Sequence, residues 1–108
     1  MTKVMPSAAY IAWCKDLPGD EPARLRKELA PAHFVHIETI MDKIRVAGPV
    51  RNENGETIGS MLVFNAESEA EARALLDRDP YAGAGLWESV EIHPFLPAAG
   101  EWIGGKIW

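Results

Sequence analysis

A hairpin signal in the middle of the chain is the feature that most constrains its fold. Asn54-Gly55 stands between two β-rich segments, residues 44–50 and 57–64. Asn-Gly is the dipeptide most favoured in tight hairpin turns, because both of its residues tolerate a positive φ. Gly59 inside the second segment indicates a bulge or a close approach of another group. We therefore predict two antiparallel neighbouring strands joined by residues 51–56.

The first half of the chain predicts a strand followed by a helix. Residues 7–15 are largely apolar and are followed by a dense set of turn residues at 16–20, which is typical of a nearly buried strand. Pro22 suits a first helical turn, and apolar residues then recur every three to five positions up to Ile44. Because proline removes a backbone N–H, we expect Pro31 to interrupt this pattern, giving a short turn and then a longer helix.

The second half predicts a helix and a last strand. Ser68-x-x-Glu71 is a capping box, so we expect a helix from residue 69 to about residue 78. Its inward residues are predicted to be Ala70, Ala74, Leu75 and Leu76. Residues 86–95 then alternate between two unlike faces, as in a strand.

Strict alternation in this last strand predicts the face of the sheet on which Trp87 lies. It places Trp87 on the face opposite to Val90 and Ile92. Pro94 and Pro97 are expected to end the strand.

The order strand, helix, strand, strand, helix, strand predicts an α+β fold of the ferredoxin-like βαββαβ kind. Its four-stranded antiparallel sheet has two helices on one face and leaves the other face open, so a second subunit or a ligand is expected to cover that face. We assign residues 1–97 to this domain. Residues 98–108 form an apolar tail that includes Trp102 and Trp108. We expect the tail to dock on its own domain or on a second subunit.

Composition narrows the classes of partner. The chain has 108 residues, of which 25% are charged, and a net charge of -5, which fits one globular domain and argues against nucleic-acid binding. No segment reaches the roughly 20 apolar residues of a membrane span, and residues 1–6 lack the apolar stretch of a signal peptide. We therefore expect a cytoplasmic protein. Gly83-x-Gly85 lacks the surroundings of a phosphate loop, and no cofactor is expected.

Several short motifs, in this order, carry a family resemblance. They are Pro31-Ala32-His33, Val46-Ala47-Gly48-Pro49, Phe64-x-x-x-Ser68-x-x-x-Ala72, Asp79-Pro80-Tyr81 and the run Trp87 to Phe95. From about residue 8 to residue 95 the chain resembles the YciI-like (YCII-related) domain family. The resemblance implies a ferredoxin-like fold and a homodimer of the dimeric α+β barrel kind, formed through the open sheet face.

The resemblance also implies a catalytic pair. The family's His and Asp fall on His33 and Asp79 of this sequence. An arginine that is frequent three positions before the His is replaced here by Ala30, and Arg26 or Arg24 is the candidate substitute.

The chemistry of such a pair can be argued from the residue types. An imidazole has an ordinary pKa of about 6.5, which suits a general base near neutral pH. A carboxylate bonded to one ring nitrogen fixes the tautomer and makes the other nitrogen the base. The alternative is structural: His33 packs at the start of its helix, and Asp79 caps a turn through an Asx interaction.

Tyr10, Ser60 and Tyr81 are the candidate substrate-binding residues. Tyr10 is predicted to face the pocket from the first strand, together with the apolar sheet face, while Trp13 on the other face of that strand is predicted to lie in the core. Ser60 and Cys14 lack a neighbouring base in the sequence, so neither is expected to be a nucleophile. Cys14 has no second cysteine for a disulfide and is expected to be a small buried residue.

Three functional hypotheses follow. The leading one is a cofactor-free lyase or isomerase in which His33 moves a proton on a small organic molecule and Asp79 orients it. The family resemblance implies this reaction class through relatives that eliminate or isomerise on ring-derived compounds. The second is a non-catalytic homodimeric binding module, favoured if the tail fills the pocket or if His33 and Asp79 lie too far apart to bond. The third is a metal site on His33 and His36, although no metal is expected from the spacing alone.

Overall fold

The computed structural model describes residues 9–108. Two predictions concern residues outside this range. They are the first two residues of the predicted first strand, residues 7 and 8, and the absence of a signal peptide at residues 1–6. The elements are listed in chain order: β1 (Ala9–Asp16), α1 (Glu21–Thr39), β2 (Ile44–Arg51), β3 (Thr57–Asn65), α2 (Glu69–Asp77), α3 (Pro80–Gly83), β4 (Trp87–Phe95), β5 (Ala99–Gly100) and β6 (Gly105–Lys106).

The four long strands form one antiparallel sheet in the order β2-β3-β1-β4. Together with α1 and α2 this is the predicted α+β ferredoxin-like architecture, which is confirmed. Pro94 lies within β4 and does not end it. Proline is tolerated there because β4 is an edge strand. No strand lies on its outer side, so an N–H group directed outward would have no partner in the sheet, and its absence costs no hydrogen bond.

The core lies between the sheet and its helices. Ala12, Cys14, Leu62 and Phe64 from the two central strands are buried on the helical face. Their partners from the rest of the chain are Ile40, Ala66, Ala72, Leu75, Leu76 and Ile92.

The predicted hairpin is present and joins β2 to β3. The side-chain oxygen of Asn52 accepts hydrogen bonds from the backbone N–H groups of Asn54 and Glu56, at 2.9 and 3.0 Å. Gly55 has a φ of 81°, which a side chain would disfavour. The turn chemistry of these residues thus sets the register of the two strands.

Pro31 does not interrupt α1, so the prediction of a break there is wrong. The helix runs through it for 19 residues, from Glu21 to Thr39. Proline removes only the hydrogen bond to the carbonyl of Lys27, and both residues are exposed, so water can bind that carbonyl. No helix among the described residues is both long enough and apolar enough to cross a membrane.

Ser68 caps α2 as predicted, because its side chain accepts a hydrogen bond from the backbone N–H of Glu71 at 3.1 Å. The second half of the capping box is displaced by one residue, since the Glu71 side chain accepts the backbone N–H of Glu67 at 3.0 Å. The inward face is partly different from the prediction. Ala72, Leu75 and Leu76 are the buried residues. Ala70 and Ala74 are exposed, since only the i, i+3, i+4 set that begins at residue 72 faces the sheet.

A β-bulge changes the orientation of Trp87. The register between β1 and β4 shifts between Lys15 and Asp16, so that Asp16 pairs with Trp87 while Lys15 pairs with Ser89. The extra residue turns Trp87 onto the helical face, which it shares with Val90 and Ile92. Strict alternation gave the opposite face and is wrong at this position.

The other face of the sheet is not covered by a helix. Trp13 lies there beside its cross-strand neighbours Met61 and Glu91, so its predicted place in the core is wrong. A Cβ atom added to Gly59 would lie 2.5 Å from the Trp13 ring. Gly59 is therefore the site at which another group, the Trp13 ring, approaches closely, as the sequence indicated.

Residues 99–106 form a small hairpin, β5 with β6, after the end of β4. Together with the open sheet face, the tail encloses a cavity of about 620 Å³, whose sheet side includes Ile11, Val46 and Val63. Trp102 at the tip of the hairpin is 77% exposed.

Candidate active site

The structure brings His33 and Asp79 together. His33 Nδ1 lies 2.9 Å from Asp79 Oδ1 and 2.9 Å from Oδ2. The carboxylate is 1% exposed and the imidazole 18% exposed, so water screens this contact only weakly. His33 projects from α1, and Asp79 lies at the corner between α2 and β4.

Local chemistry explains how Asp79 is held. Pro80 restricts the preceding residue to an extended backbone, and Asp79 has φ -69° and ψ 131°. From there its Oδ1 accepts the backbone N–H of Tyr81 at 3.0 Å and caps α3. The capping role and the bond to His33 therefore coexist in one carboxylate. The corner ends with Gly85 in a positive-φ conformation, which leads the chain into β4.

The hydrogen bond defines the state of the ring. An ionised carboxylate only accepts hydrogen bonds, so the proton of the neutral imidazole resides on Nδ1 of His33. Nε2 then carries the lone pair and can take a proton from a bound molecule. Asp79 stabilises the imidazolium that this transfer produces.

Tyr81 supports the ring of His33 from one side. The two rings are stacked, with centroids 4.1 Å apart and planes 13° apart. The Tyr81 hydroxyl donates to the backbone carbonyl of Arg26 at 3.4 Å, and burial raises the pKa of Tyr81 above its usual value. Tyr81 is thus a neutral packing surface for the imidazole under ordinary conditions.

A second hydrogen-bonded set of polar side chains, formed by Arg26, Asp16 and Ser60, lies beside the pair of His33 and Asp79. Arg26 Nε and Nη2 donate to the two carboxylate oxygens of Asp16 at 2.9 and 2.7 Å, and Nη2 also donates to Ser60 Oγ at 2.9 Å. Arg26 precedes His33 by seven residues, two helical turns, and so shares its face of α1. Arg24, the other candidate arginine, is exposed and pairs with Glu21 and Glu28 instead.

The hydrogen bond from Arg26 determines how Ser60 can contact a bound molecule. Its oxygen accepts from the cationic Arg26, and among the described residues no hydrogen bond uses its hydroxyl proton. A hydroxyl whose oxygen is bonded to a cation is a stronger donor. Ser60 can therefore donate to an oxygen atom of a bound molecule.

Asp16 was missed by the sequence interpretation, which assigned it to the turn after β1. In the structure it is the buried last residue of that strand. The sequence pattern that could have indicated it is an acidic residue directly after an apolar segment, with an arginine on the next helix. Many surface turns share that pattern. Only the fold brings Asp16 to Arg26.

A cavity of about 380 Å³ lies beside these groups, between α1 and the sheet. Four of the predicted site residues line it: His33, Ser60, Asp79 and Tyr81. Tyr10 is not among the lining residues, and packs instead against the core. The remaining lining residues are mostly apolar: Arg26, Phe34, Ile37, Ala47, Gly48, Pro49, Thr57, Leu62 and Trp87.

The cavity at His33 thus lies under a helix and not on the open sheet face where the sequence interpretation had placed the substrate. The reason is geometric. His33 and Ser60 both point toward the space between α1 and the sheet, whereas Trp13 and Met61 point to the other side.

Cys14 is buried on the helical face near this site but is unsuited to act as a nucleophile. Burial, and then the negative charge of Asp79, raise the pKa of its thiol to about 12. The thiolate, which is the reactive form, is therefore negligible at neutral pH.

His36, which follows His33 by one turn of α1, does not join a metal-ligand cluster. Within residues 9–108, no group of three or more His, Cys, Asp or Glu side chains is placed to hold a metal ion. The Nδ1 atom of His33 is already bonded to Asp79.

The fold and the site together define a class: small ferredoxin-like α+β domains with a buried His–Asp pair at a cavity. The chain belongs to the YCII-related domain family, whose model matches residues 8–96, and the resemblance seen in the sequence is confirmed. It is 32% identical over 94 residues to Protein YciI of Escherichia coli O6:H1 (strain CFT073), covering 80% of this chain and 94% of that protein. Protein YciI of Shigella flexneri is equally similar, at 32% identity over 94 residues.

A solved structure gives a more distant but extensive likeness. It is 5-chloro-2-hydroxyhydroquinone dehydrochlorinase (TftG) from Burkholderia phenoliruptrix AC1100, in complex with 2,5-dihydroxybenzoquinone. The TM-score is 0.72 and the identity 26%, and the match covers 86% of this chain and 96% of that one.

Proposed function

We propose that the protein is a cofactor-independent enzyme of the lyase or isomerase type that acts on a small organic molecule. The observation that carries this proposal is the hydrogen bond from His33 Nδ1 to the buried Asp79 at the edge of a cavity. It leaves Nε2 of His33 as a base of fixed orientation.

The proposed reaction begins when His33 Nε2 removes a proton from a C–H or O–H group of the substrate. In an elimination, the electron pair of the broken bond forms a new π bond, and the leaving group departs with its own bonding pair. In an isomerisation, the imidazolium returns the proton to a different atom. Asp79 stabilises the imidazolium between these steps, and the pair is worth about 10²- to 10⁴-fold in rate.

Ser60 and Arg26 have a complementary role in this proposal. Removal of a C–H proton next to a carbonyl group, or of the proton of a hydroxyl group, leaves negative charge on oxygen. The Ser60 hydroxyl, held by Arg26, can donate to that oxygen from the cavity wall. Asp16 fixes the guanidinium by its two hydrogen bonds and so positions the serine.

The likeness to TftG supports an elimination on a ring compound. That protein is named as a dehydrochlorinase of a chlorinated hydroxyhydroquinone and was solved with a dihydroxybenzoquinone. We propose that this chain also accepts a small oxygenated ring, for which a cavity of about 380 Å³ has room.

The test is chloride release from 5-chloro-2-hydroxyhydroquinone by the purified protein. We expect His33→Gln and Asp79→Asn to lower kcat/KM by at least about 100-fold. His93→Gln is the matched control, because His93 is also near a carboxylate but is 67% exposed on β4. Turnover that is equal in all four proteins would reject the assignment.

A homodimeric binding module is the second candidate, because the structure has a second cavity, separate from the one at His33, that could hold a ligand. The open sheet face bears an apolar cavity of about 620 Å³ beside the exposed Trp102, a surface of the kind that a partner covers. We propose a homodimer through this face in either case, and the cytoplasm as its location. Sedimentation equilibrium tests the dimer. A monomer at all concentrations would exclude it, and a dimer without turnover would favour the binding module.

A further inference from the structure

Trp87 has a buried polar atom that needs an acceptor. Its Nε1 atom is buried and has no hydrogen-bond partner among residues 9–108. Nearly all buried N–H groups in folded proteins are paired, and an unpaired one costs about 1–3 kcal/mol. The binding roles derived so far do not use this group.

The β-bulge determines where this indole lies. Residues that pair across antiparallel strands project to the same face of the sheet, and the bulge pairs Trp87 with Asp16. The indole therefore lies on the helical face, next to the ion pair of Asp16 and Arg26. It lines the same cavity as His33.

Tyr81 fixes the indole from the side. The rings of Tyr81 and Trp87 meet edge to face, with centroids 6.3 Å apart and planes 85° apart. Because Tyr81 is also stacked on His33, the three rings form one continuous aromatic wall of the cavity. Such a wall suits a planar ligand.

We propose that the Trp87 indole turns toward the cavity when a ring ligand binds, and that its Nε1–H, which is buried in the ligand-free protein, then donates a hydrogen bond to an oxygen of that ligand, across the cavity from Ser60. Ser60 on β3 pairs with Cys14 of β1, and Trp87 on β4 pairs with Asp16 of β1, so their backbones are two strand spacings apart across the sheet and two residues apart along it, about 12 Å. A single ring between the two side chains can accept from both if it carries oxygens on opposite edges. The inference rests on the proposed function, and it defines the substrate as a small planar ring oxygenated at both edges.

The test compares the wild-type protein with Trp87→Phe, which removes the N–H and keeps an aromatic side chain. The probe is 2,5-dihydroxybenzoquinone, which has oxygens on opposite edges. We expect its Kd to rise about 2- to 13-fold in the variant, the effect of one neutral hydrogen bond. Benzene, which has no acceptor oxygen, should bind both proteins equally in an NMR titration. Trp102→Phe is the control, because that indole is exposed on the tail.

Two further readouts separate a binding role from a packing role. The Hε1 resonance of Trp87, assigned by its absence in Trp87→Phe, should move when the probe is added. The ligand-free variant should lose little stability in urea, because removal of the unpaired donor offsets part of the burial that the larger ring provides. An indole that only packs, with its N–H directed at the Tyr81 ring, predicts an unmoved resonance and an unchanged Kd.

An unchanged Kd, an unmoved resonance or a probe that does not bind would overturn the inference. These outcomes are distinct from failure of the proposed function. If chloride release depends on His33 but Trp87→Phe binds the probe like the wild type, only the role of Trp87 is lost. If the probe needs Trp87 but no chloride is released, the binding role stands and the enzyme assignment fails.

Discussion

Replacing Arg26 by Met should destabilise the protein far more than the same change at Arg24. Arg26 is 15% exposed and its partner Asp16 4% exposed, so Arg26→Met leaves a buried carboxylate without its cation. Breaking a buried pair from one side costs about 3–5 kcal/mol. Arg24 makes its ion pairs on the exposed face of the same helix, where water screens them, so their loss should matter far less.

The assay is urea unfolding followed by far-UV circular dichroism. For Arg26→Met the free energy of unfolding should fall by about 3–5 kcal/mol, and for the control Arg24→Met it should change far less. The double variant Asp16→Asn/Arg26→Met should recover much of the loss, because it removes the orphaned charge. Equal losses in the two single variants, or a double variant less stable than Arg26→Met, would refute the assignment of a buried, coupled pair.

Two other predictions concern the sheet. Gly59→Ala should cost about 1–3 kcal/mol, because the new Cβ would lie 2.5 Å from the Cys14 carbonyl oxygen, which the backbone holds in place. Gly48→Ala, where no atom lies within 4 Å, should cost much less, and equal costs would contradict the close approach. Because the pKa of Cys14 is raised from 9.0 to about 12, its contribution to stability is complete below pH 9 and is lost as the pH rises toward 12. The free energy of unfolding should therefore fall less steeply between pH 8 and pH 10 in Cys14→Ala, and an identical slope would contradict the shift.

The parts of the fold that the sequence predicts well depend on local chemistry. The hairpin rests on Asn54-Gly55 and its neighbours, and the start of α2 on Ser68, so short segments contain all the necessary information. Pro31 shows the limit of such reasoning. Its effect on α1 depends on whether the freed carbonyl meets water, which is a matter of tertiary structure.

The candidate site shows the same division. His33 and Asp79 were found because each stands in a recognisable motif, although their 2.9 Å contact spans 46 residues of sequence. Trp87 was misplaced because of the bulge that lets it pair with Asp16, whereas Asp16 was missed because it was assigned to the turn after β1 and not to the strand itself. A bulge reverses side-chain alternation from that point on and leaves no clear mark in the residue types. Tyr10 projects to the same helical face as Ser60, but it lies four residues along β1 from Cys14, the partner of Ser60, and so does not line the cavity.

The state of the His33 ring is the property on which the proposed chemistry most directly depends. It can be measured from the ¹⁵N chemical shifts of the two ring nitrogens in the wild type and in Asp79→Asn, at a pH where the imidazole is neutral. We expect a protonated Nδ1 and an unprotonated Nε2 in the wild type, and loss of this preference in the variant. A neutral ring protonated on Nε2 in the wild type would contradict it, because Nε2 could not then accept a proton from the substrate.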